Sequence, residues 1–231
     1  MQVEGFKVID EDALVLYREY AFTKGASATT LVFRGKDGLV VVSPSSGVTA
    51  RELDALAEHG EVSALIANNG YHHLGQAAWR ERFPNAVSYA PAATLPRLRK
   101  KSSGIPYRAL SELALPAHVR CEETAGFKGG DAFLSIRTKR GNVWYTGDLV
   151  TNIQSLPPPP VRWLFSWTDS APGLRLFRPA VWLLIRDKKE VRAWMLERLA
   201  SDPPSIVVPA HGPPCEAADV VALTRLQLER L

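Results

Sequence analysis

Short apolar runs fill the first part of the chain. Val3 to Ile9, Ala13 to Arg18, Thr29 to Arg34 and Gly38 to Ser43 read as strands, and Lys36-Asp37-Gly38 is strong hairpin chemistry. Beyond Ser43 the pattern alternates between helical and extended periods. Thr49 can cap a helix running to about His59, Val62 to Ala67 reads as a strand, Leu74 to Arg82 as a helix, and Ala86 to Ala90 as another strand. Later, Ala132 to Thr138 and Asn142 to Thr146 form a predicted hairpin around Arg140-Gly141. Ser170 to about Arg186 and Asp187 to Leu199 are predicted helices, Ile206 to Val208 a buried strand, and Glu216 to the end a last helix. This order is hard to fit to a parallel doubly wound sheet.

Length and composition bound the answer without naming a chemistry. At 231 residues the chain can bury a substantial core, and no linker-like shift in composition divides it, so a single domain over 1–231 is the expectation. The run from Pro157 to Pro160 is short and reads as a stiff ordered crossing over the surface. The start of the chain lacks the basic and apolar regions of a signal peptide. No apolar run approaches the roughly 18 residues of a spanning helix, so no membrane span and a cytoplasmic location are expected. Cys121 and Cys215 have no metal-type spacing and read as inert thiols. Lys and Arg total 28 against 24 for Asp and Glu. Arg97, Arg99, Lys100 and Lys101 form a basic cluster that reads as a solvated helical face; no nucleic-acid motif accompanies it.

Candidate chemistry gathers where predicted strands end. His72 and His73 follow the apolar run that ends near Ala67, Asp148 follows Val143-Trp144-Tyr145, and His211 follows Ile206-Val207-Val208. Imidazole and carboxylate are zinc ligands, and the ends of strands open into the crevice where sites form. His59 and His118 lie outside this pattern and read as ordinary surface or hydrogen-bonded residues. Serine-hydrolase and nucleotide-binding classes drop out, because Ser43-Pro44-Ser45-Ser46-Gly47 is not a nucleophile elbow and Lys128-Gly129-Gly130 lacks phosphate-loop spacing.

In this order the segments Asn68-Asn69-Gly70-Tyr71-His72-His73-Leu74-Gly75, Thr146-Gly147-Asp148 and Pro209-Ala210-His211-Gly212 resemble the motifs of the metallo-β-lactamase fold superfamily. The resemblance covers nearly the whole chain. It implies a four-layer αββα sandwich, two mixed sheets packed face to face with helices outside, which the order of predicted elements supports. Aligned on the family's His-x-His-x-Asp-His motif, His72 stands for the aspartate and His73 for the last histidine, while Asn68 and Gly70 replace the first two histidines. A further family histidine falls on Phe127. The first metal site of the family is thus lost, and the resemblance leaves His72, His73, Asp148 and His211 as ligands of one divalent ion, zinc, with iron or manganese as alternatives. His73 and Asp148 would act directly in catalysis. The hydroxyls of Ser43 to Ser46 fall where the family has a loop under the active site, and would line the pocket.

Two functional readings follow. In one, a single metal activates water for attack on a small-molecule ester, thioester, lactone or amide. In the other, the lost histidines mark a metal-free pseudoenzyme that binds a small molecule or a protein. Trp163, Phe165, Trp167, Phe177, Trp182 and Trp194 fall where the family places a substrate-covering insertion. They read as a pocket wall or lid, as packing for a helical hairpin, or as the surface of a homo-oligomer.

Overall fold

The central strands of this protein have apolar side chains on both of their faces, and the fold supplies a partner layer for each face. In the computed structural model, which describes residues 1–23, 26–156, 158–159 and 161–231, strands β1 (Lys7–Asp10), β2 (Val15–Thr23), β3 (Ala26–Arg34), β4 (Leu39–Val42), β5 (Val62–Ile66), β6 (Val87–Ala90) and β7 (Tyr107–Ala109) form one sheet in sequence order. Pairing is antiparallel from β1 to β4 and parallel from β4 to β7. Parallel neighbours need crossovers. These are built around α1 (Ala50–Ala57), α2 (Gln76–Arg82) and α3 (Leu95–Lys101).

The second sheet has the order β13 (Pro204–Val208), β10 (Gly141–Tyr145), β9 (Ala132–Thr138), β8 (Val119–Glu123), with β13 parallel to β10 and the other pairs antiparallel. The two-residue period of a strand divides its side chains between two cores. Leu31, Phe33, Val40 and Val42 of the first sheet meet Val143, Tyr145, Ile206 and Val208 of the second in the central core. Val32, Leu39 and Val41 face the other way, with Leu53 and Leu56 of α1 and Trp79 of α2. Trp144 and Val207 turn outward to a helical layer that includes α5 (Arg178–Leu184), α6 (Lys188–Ser201) and α7 (Val220–Glu229). The result is the αββα sandwich that the resemblance implies.

Local signals hold where they were strong. Thr49 caps α1 with a full capping box: its hydroxyl accepts from Glu52 N–H at 3.2 Å, and the Glu52 carboxylate accepts from Thr49 N–H at 2.7 Å. The helix predicted from Ser170 to Arg186 is corrected. Pro172-Gly173 interrupts it, Gly173 is left-handed at φ 80°, and Leu174 and Leu176 alternate into the core as strand β12 (Gly173–Leu176), paired with β11 (Val150–Ile153). A further helix, α4 (Val161–Trp167), lies ahead of it, and α7 starts at Val220 rather than Glu216. Pro157 and Pro160 of the predicted proline crossing lie outside the described residues.

Candidate metal centre

Three loops at the ends of β5, β10 and β13 build the site. The last is closed by a pair of backbone hydrogen bonds between Val207 and Cys215, so that His211 sits at the tip of a tight return. That return is pinned on three sides. Ala210 N–H donates to Gly147, Ala210 accepts from Thr29 N–H, and His211 accepts from Asn152 N–H. Gly212, at φ 95°, has its backbone against Asn152, where a β-carbon would come within 2.5 Å of the carbonyl oxygen. The Asp148 turn needs a glycine for the same reason: Gly147 is left-handed at φ 55°, and a β-carbon there would lie 2.2 Å from the Asp131 carboxylate.

The structure brings His72, Asp148 and His211 together, their ligand atoms all within 4.8 Å of one another. His72 Nε2 lies 3.1 Å and His211 Nε2 3.3 Å from the same oxygen, Asp148 Oδ1. All three side chains are largely shielded from water. His73 is corrected. Adjacent side chains on the turn leave in different directions, and His73 hydrogen-bonds through Nδ1 to Ser102 Oγ at 2.8 Å, outside the cluster. Burial, then the positive charge of Arg97, lowers its pKa below the ordinary histidine value. His59 and His118 are not in the cluster either.

Each ring in the cluster is oriented through its other nitrogen. His72 Nδ1 is 2.8 Å from Ser43 Oγ, and His211 Nδ1 is 2.6 Å from the Ser27 carbonyl. Ser43 is buried and left-handed at φ 52°, a costly conformation for a residue with a β-carbon. The Ser27 carbonyl can only accept, so His211 Nδ1 carries a proton. In the neutral ring, Nε2 would then point a lone pair at the Asp148 carboxylate. That arrangement requires a cation between them, either a proton on Nε2 or a metal ion.

Burial alone would raise the Asp148 carboxyl, but the two histidines reverse this and hold it well below the usual carboxylate range. Burial by itself would lower His211; the hydrogen bond and charge of Asp148 outweigh it and raise the ring above its ordinary value. Asp131 behaves in the opposite way. Buried, and next to the Asp148 charge, it is pushed well above the usual carboxylate value despite hydrogen bonds from Asp148 N–H, Asn68 and Asn69. The Asn69 amide also donates to Asp148 Oδ2 at 2.8 Å and so ties the two carboxylates together.

Ligands at about 2.0–2.1 Å from a tetrahedral ion stand roughly 3.3 Å apart, close to the two separations between imidazole and carboxylate. Two imidazole nitrogens and one carboxylate oxygen are also a zinc donor set with one position left open. The cluster can hold a single ion on both counts.

No protein-family model matches the sequence, and none of the curated proteins matches it. Solved structures do. A metallo-β-lactamase from Erythrobacter litoralis with β-mercaptoethanol in its active site aligns over 100% of this chain and 99% of its own, with TM-score 0.65 and 13% identity. One from Pontibacter korlensis aligns over 98% and 100%, with TM-score 0.64 and 15% identity. This is the metallo-β-lactamase fold. The metallo-β-lactamase FIM-1 from Pseudomonas aeruginosa, in its mono-zinc form, shares that fold with this chain over 97% and 94%, with TM-score 0.59 and 13% identity. Such identities mark a divergent sequence on the metallo-β-lactamase architecture.

The three positions that the sequence resemblance sets against metal-ligating histidines, Asn68, Gly70 and Phe127, have other partners in this structure. The Asn68 amide donates to Asp131 Oδ1 at 3.0 Å. Gly70 leaves the space into which the Arg97 side chain fits, since a β-carbon at Gly70 would lie 2.5 Å from Arg97 Cδ. Phe127 is buried in the outer helical core. Sequence reasoning missed Asp131 and Asn69; the polar residue between Gly130 and the apolar strand β9 was the available signal.

Two cavities meet at His211. One, of about 300 Å³, is lined by His72, Asp148 and His211 together with Tyr20, Phe177 and Leu184. The other, of about 460 Å³, lies beyond His211 and Phe177 and includes Ser27, Gln154 and Ser155. Phe177 stands between them, its ring 5.2 Å from that of His211.

Proposed function

We propose that the protein is a hydrolase that holds one divalent ion, zinc by its donor set, on His72, Asp148 and His211, and cleaves a carboxylic ester, thioester, lactone or amide. The observation that carries this reading is the convergence of three donor atoms of a zinc set, one each from His72, Asp148 and His211, within 4.8 Å of one another in a shielded cluster. An ion bound there would supply Lewis acidity and bring the pKa of a water towards neutrality. The chain's own residues do the rest. The apolar wall of the smaller cavity accepts an acyl group, and the more polar cavity beyond Phe177 accepts the leaving portion. Tyr20 faces the acyl side; burial raises its phenol, which stays protonated at neutral pH as a hydrogen-bond donor for a carbonyl oxygen. With the Asn68–Asp131 hydrogen bond where a first-site ligand would be, one ion is expected rather than two, which removes the paired clamp useful in phosphodiester cleavage.

The competing reading, a metal-free binding module, takes from the same geometry a protonated His211 paired with Asp148. The two separate on hydrolysis of activated esters by protein of known metal content. The hydrolase reading expects turnover proportional to occupancy and abolished in His211→Ala. Fully metallated protein that cleaves no acyl substrate would favour the binding module.

A further inference from the structure

Of the nine large hydrophobic side chains exposed among the described residues, seven lie in three segments: Tyr71 and Leu74, Trp163, Leu164 and Trp167, and Trp182 and Leu183. Tyr71, Leu74 and Leu183 line the acyl cavity. Trp182 adjoins Leu183 on α5, and its ring lies 5.8 Å from that of Trp167 on α4. Trp163 and Trp167, four residues apart, share one face of α4 and are 68% and 78% exposed. The helix is fastened from beneath by Phe165, whose ring is 5.8 Å from Phe177. An indole at that exposure gains nothing from the core of its own chain, and apolar patches of this kind mark a contact surface.

Cations that form no ion pair among the described residues border the patch. The Arg97 guanidinium stacks 4.1 Å above the Tyr71 ring, and Arg97 and Lys128 line a cleft of about 180 Å³ that shares Leu183 as a wall. Arg162 directly precedes Trp163. Arg97, Lys128 and Arg162 form no ion pair among the described residues, whereas Asp169, the acid beyond Trp167, is bound by Arg230 at 3.2 Å. Tryptophan with basic neighbours is the composition of a surface that settles at the headgroup boundary of an anionic bilayer.

We propose that this face docks on an anionic membrane surface, with Trp163, Trp167, Trp182 and Leu183 entering the interface and the acyl cavity opening towards the lipid. A second copy fits the face less well. Twofold pairing would bring Arg97, Lys128 and Arg162 against a like-charged face and would cap the cavity. No described helix is long and apolar enough to cross a membrane, so the contact is peripheral.

Flotation of the full chain with phosphatidylcholine vesicles, with and without about 30% phosphatidylglycerol, tests this. Binding is expected to the anionic vesicles, to weaken with salt, and to shift tryptophan emission to the blue. The Trp163→Ala/Trp167→Ala double variant is expected to lose at least about tenfold in partition, and Arg162→Glu about fivefold. Unchanged melting of both variants guards against misfolding. Absence of partition into either vesicle, or undiminished partition of the double variant, would overturn the proposal. So would a concentration-dependent dimer in sedimentation that the double variant abolishes. Because flotation is also read on metal-stripped protein, its outcome is independent of whether the site hydrolyses anything.

Discussion

Replacing Asp131 with Ala tests whether the buried hydrogen-bond cluster beneath the three ligands holds the site together. The Asp131 carboxylate accepts from Asn68 at 3.0 Å, Asn69 at 3.2 Å and Asp148 N–H at 3.0 Å, and the residue is 1% exposed. Each orphaned buried donor costs about 1–3 kcal/mol, so three would cost roughly 3–9 kcal/mol if nothing relaxed. Two effects reduce this. A water entering the vacated space can satisfy part of the cluster, and loss of Asp131 removes a carboxyl group from beside the Asp148 charge. A net loss of about 2–4 kcal/mol is expected, which for a chain of this length lowers the melting temperature by roughly 5–15 °C. Urea unfolding in the presence of chelator is the assay, because bound metal would add linkage energy of its own. A loss below about 1 kcal/mol at unchanged m-value would refute the claim that these donors depend on Asp131.

Three further outcomes follow from the same geometry. Ser43→Gly relieves a left-handed serine at φ 52° but removes the hydroxyl from His72 Nδ1; stability should hold or rise by about 1 kcal/mol while metal affinity falls 10- to 100-fold, and unchanged affinity in a competition titration would contradict this. His73→Ala, which removes a hydrogen bond to Ser102 and no ligand, should leave metal stoichiometry unaltered, whereas His72→Ala should lower affinity severely; the opposite ranking would place the wrong histidine in the site. Burial raises the Glu52 carboxyl, yet hydrogen bonds from Thr49 and Arg18 outweigh this and hold it below its ordinary 4.5. Its contribution is therefore present above the unfolded pKa and lost as pH falls through the folded one. The stability deficit of Glu52→Gln in urea melts at about pH 7 should shrink below about pH 3; an equal deficit at both would contradict the assignment.

Much of this architecture was legible because it rests on period and on caps. Ala132–Thr138 reads as a strand and is one, Thr49 caps the helix that its Glu52 partner announces, and Asp148 and His211 stand at strand ends that the sandwich brings together. The choice between His72 and His73 was not legible. It depends on how the turn is rotated, with Asn69 Oδ1 accepting from Tyr71 N–H and Ser43 reaching His72 from another strand end. Asp131 stood out only as a polar residue ahead of β9, and its role was not legible because its partners come from the end of β5 and the Asp148 turn. Strand β12 was hidden within a segment whose apolar residues also fit a helix, and Pro172-Gly173 was the decisive signal.

Metal content bears most directly on the whole account. Elemental analysis of protein purified without chelators, followed by dialysis against excess zinc, should find one ion per chain that persists in His73→Ala and is lost in His211→Ala and Asp148→Ala. A chain that takes up no ion, or binds two tightly, would contradict a single-metal centre on His72, Asp148 and His211.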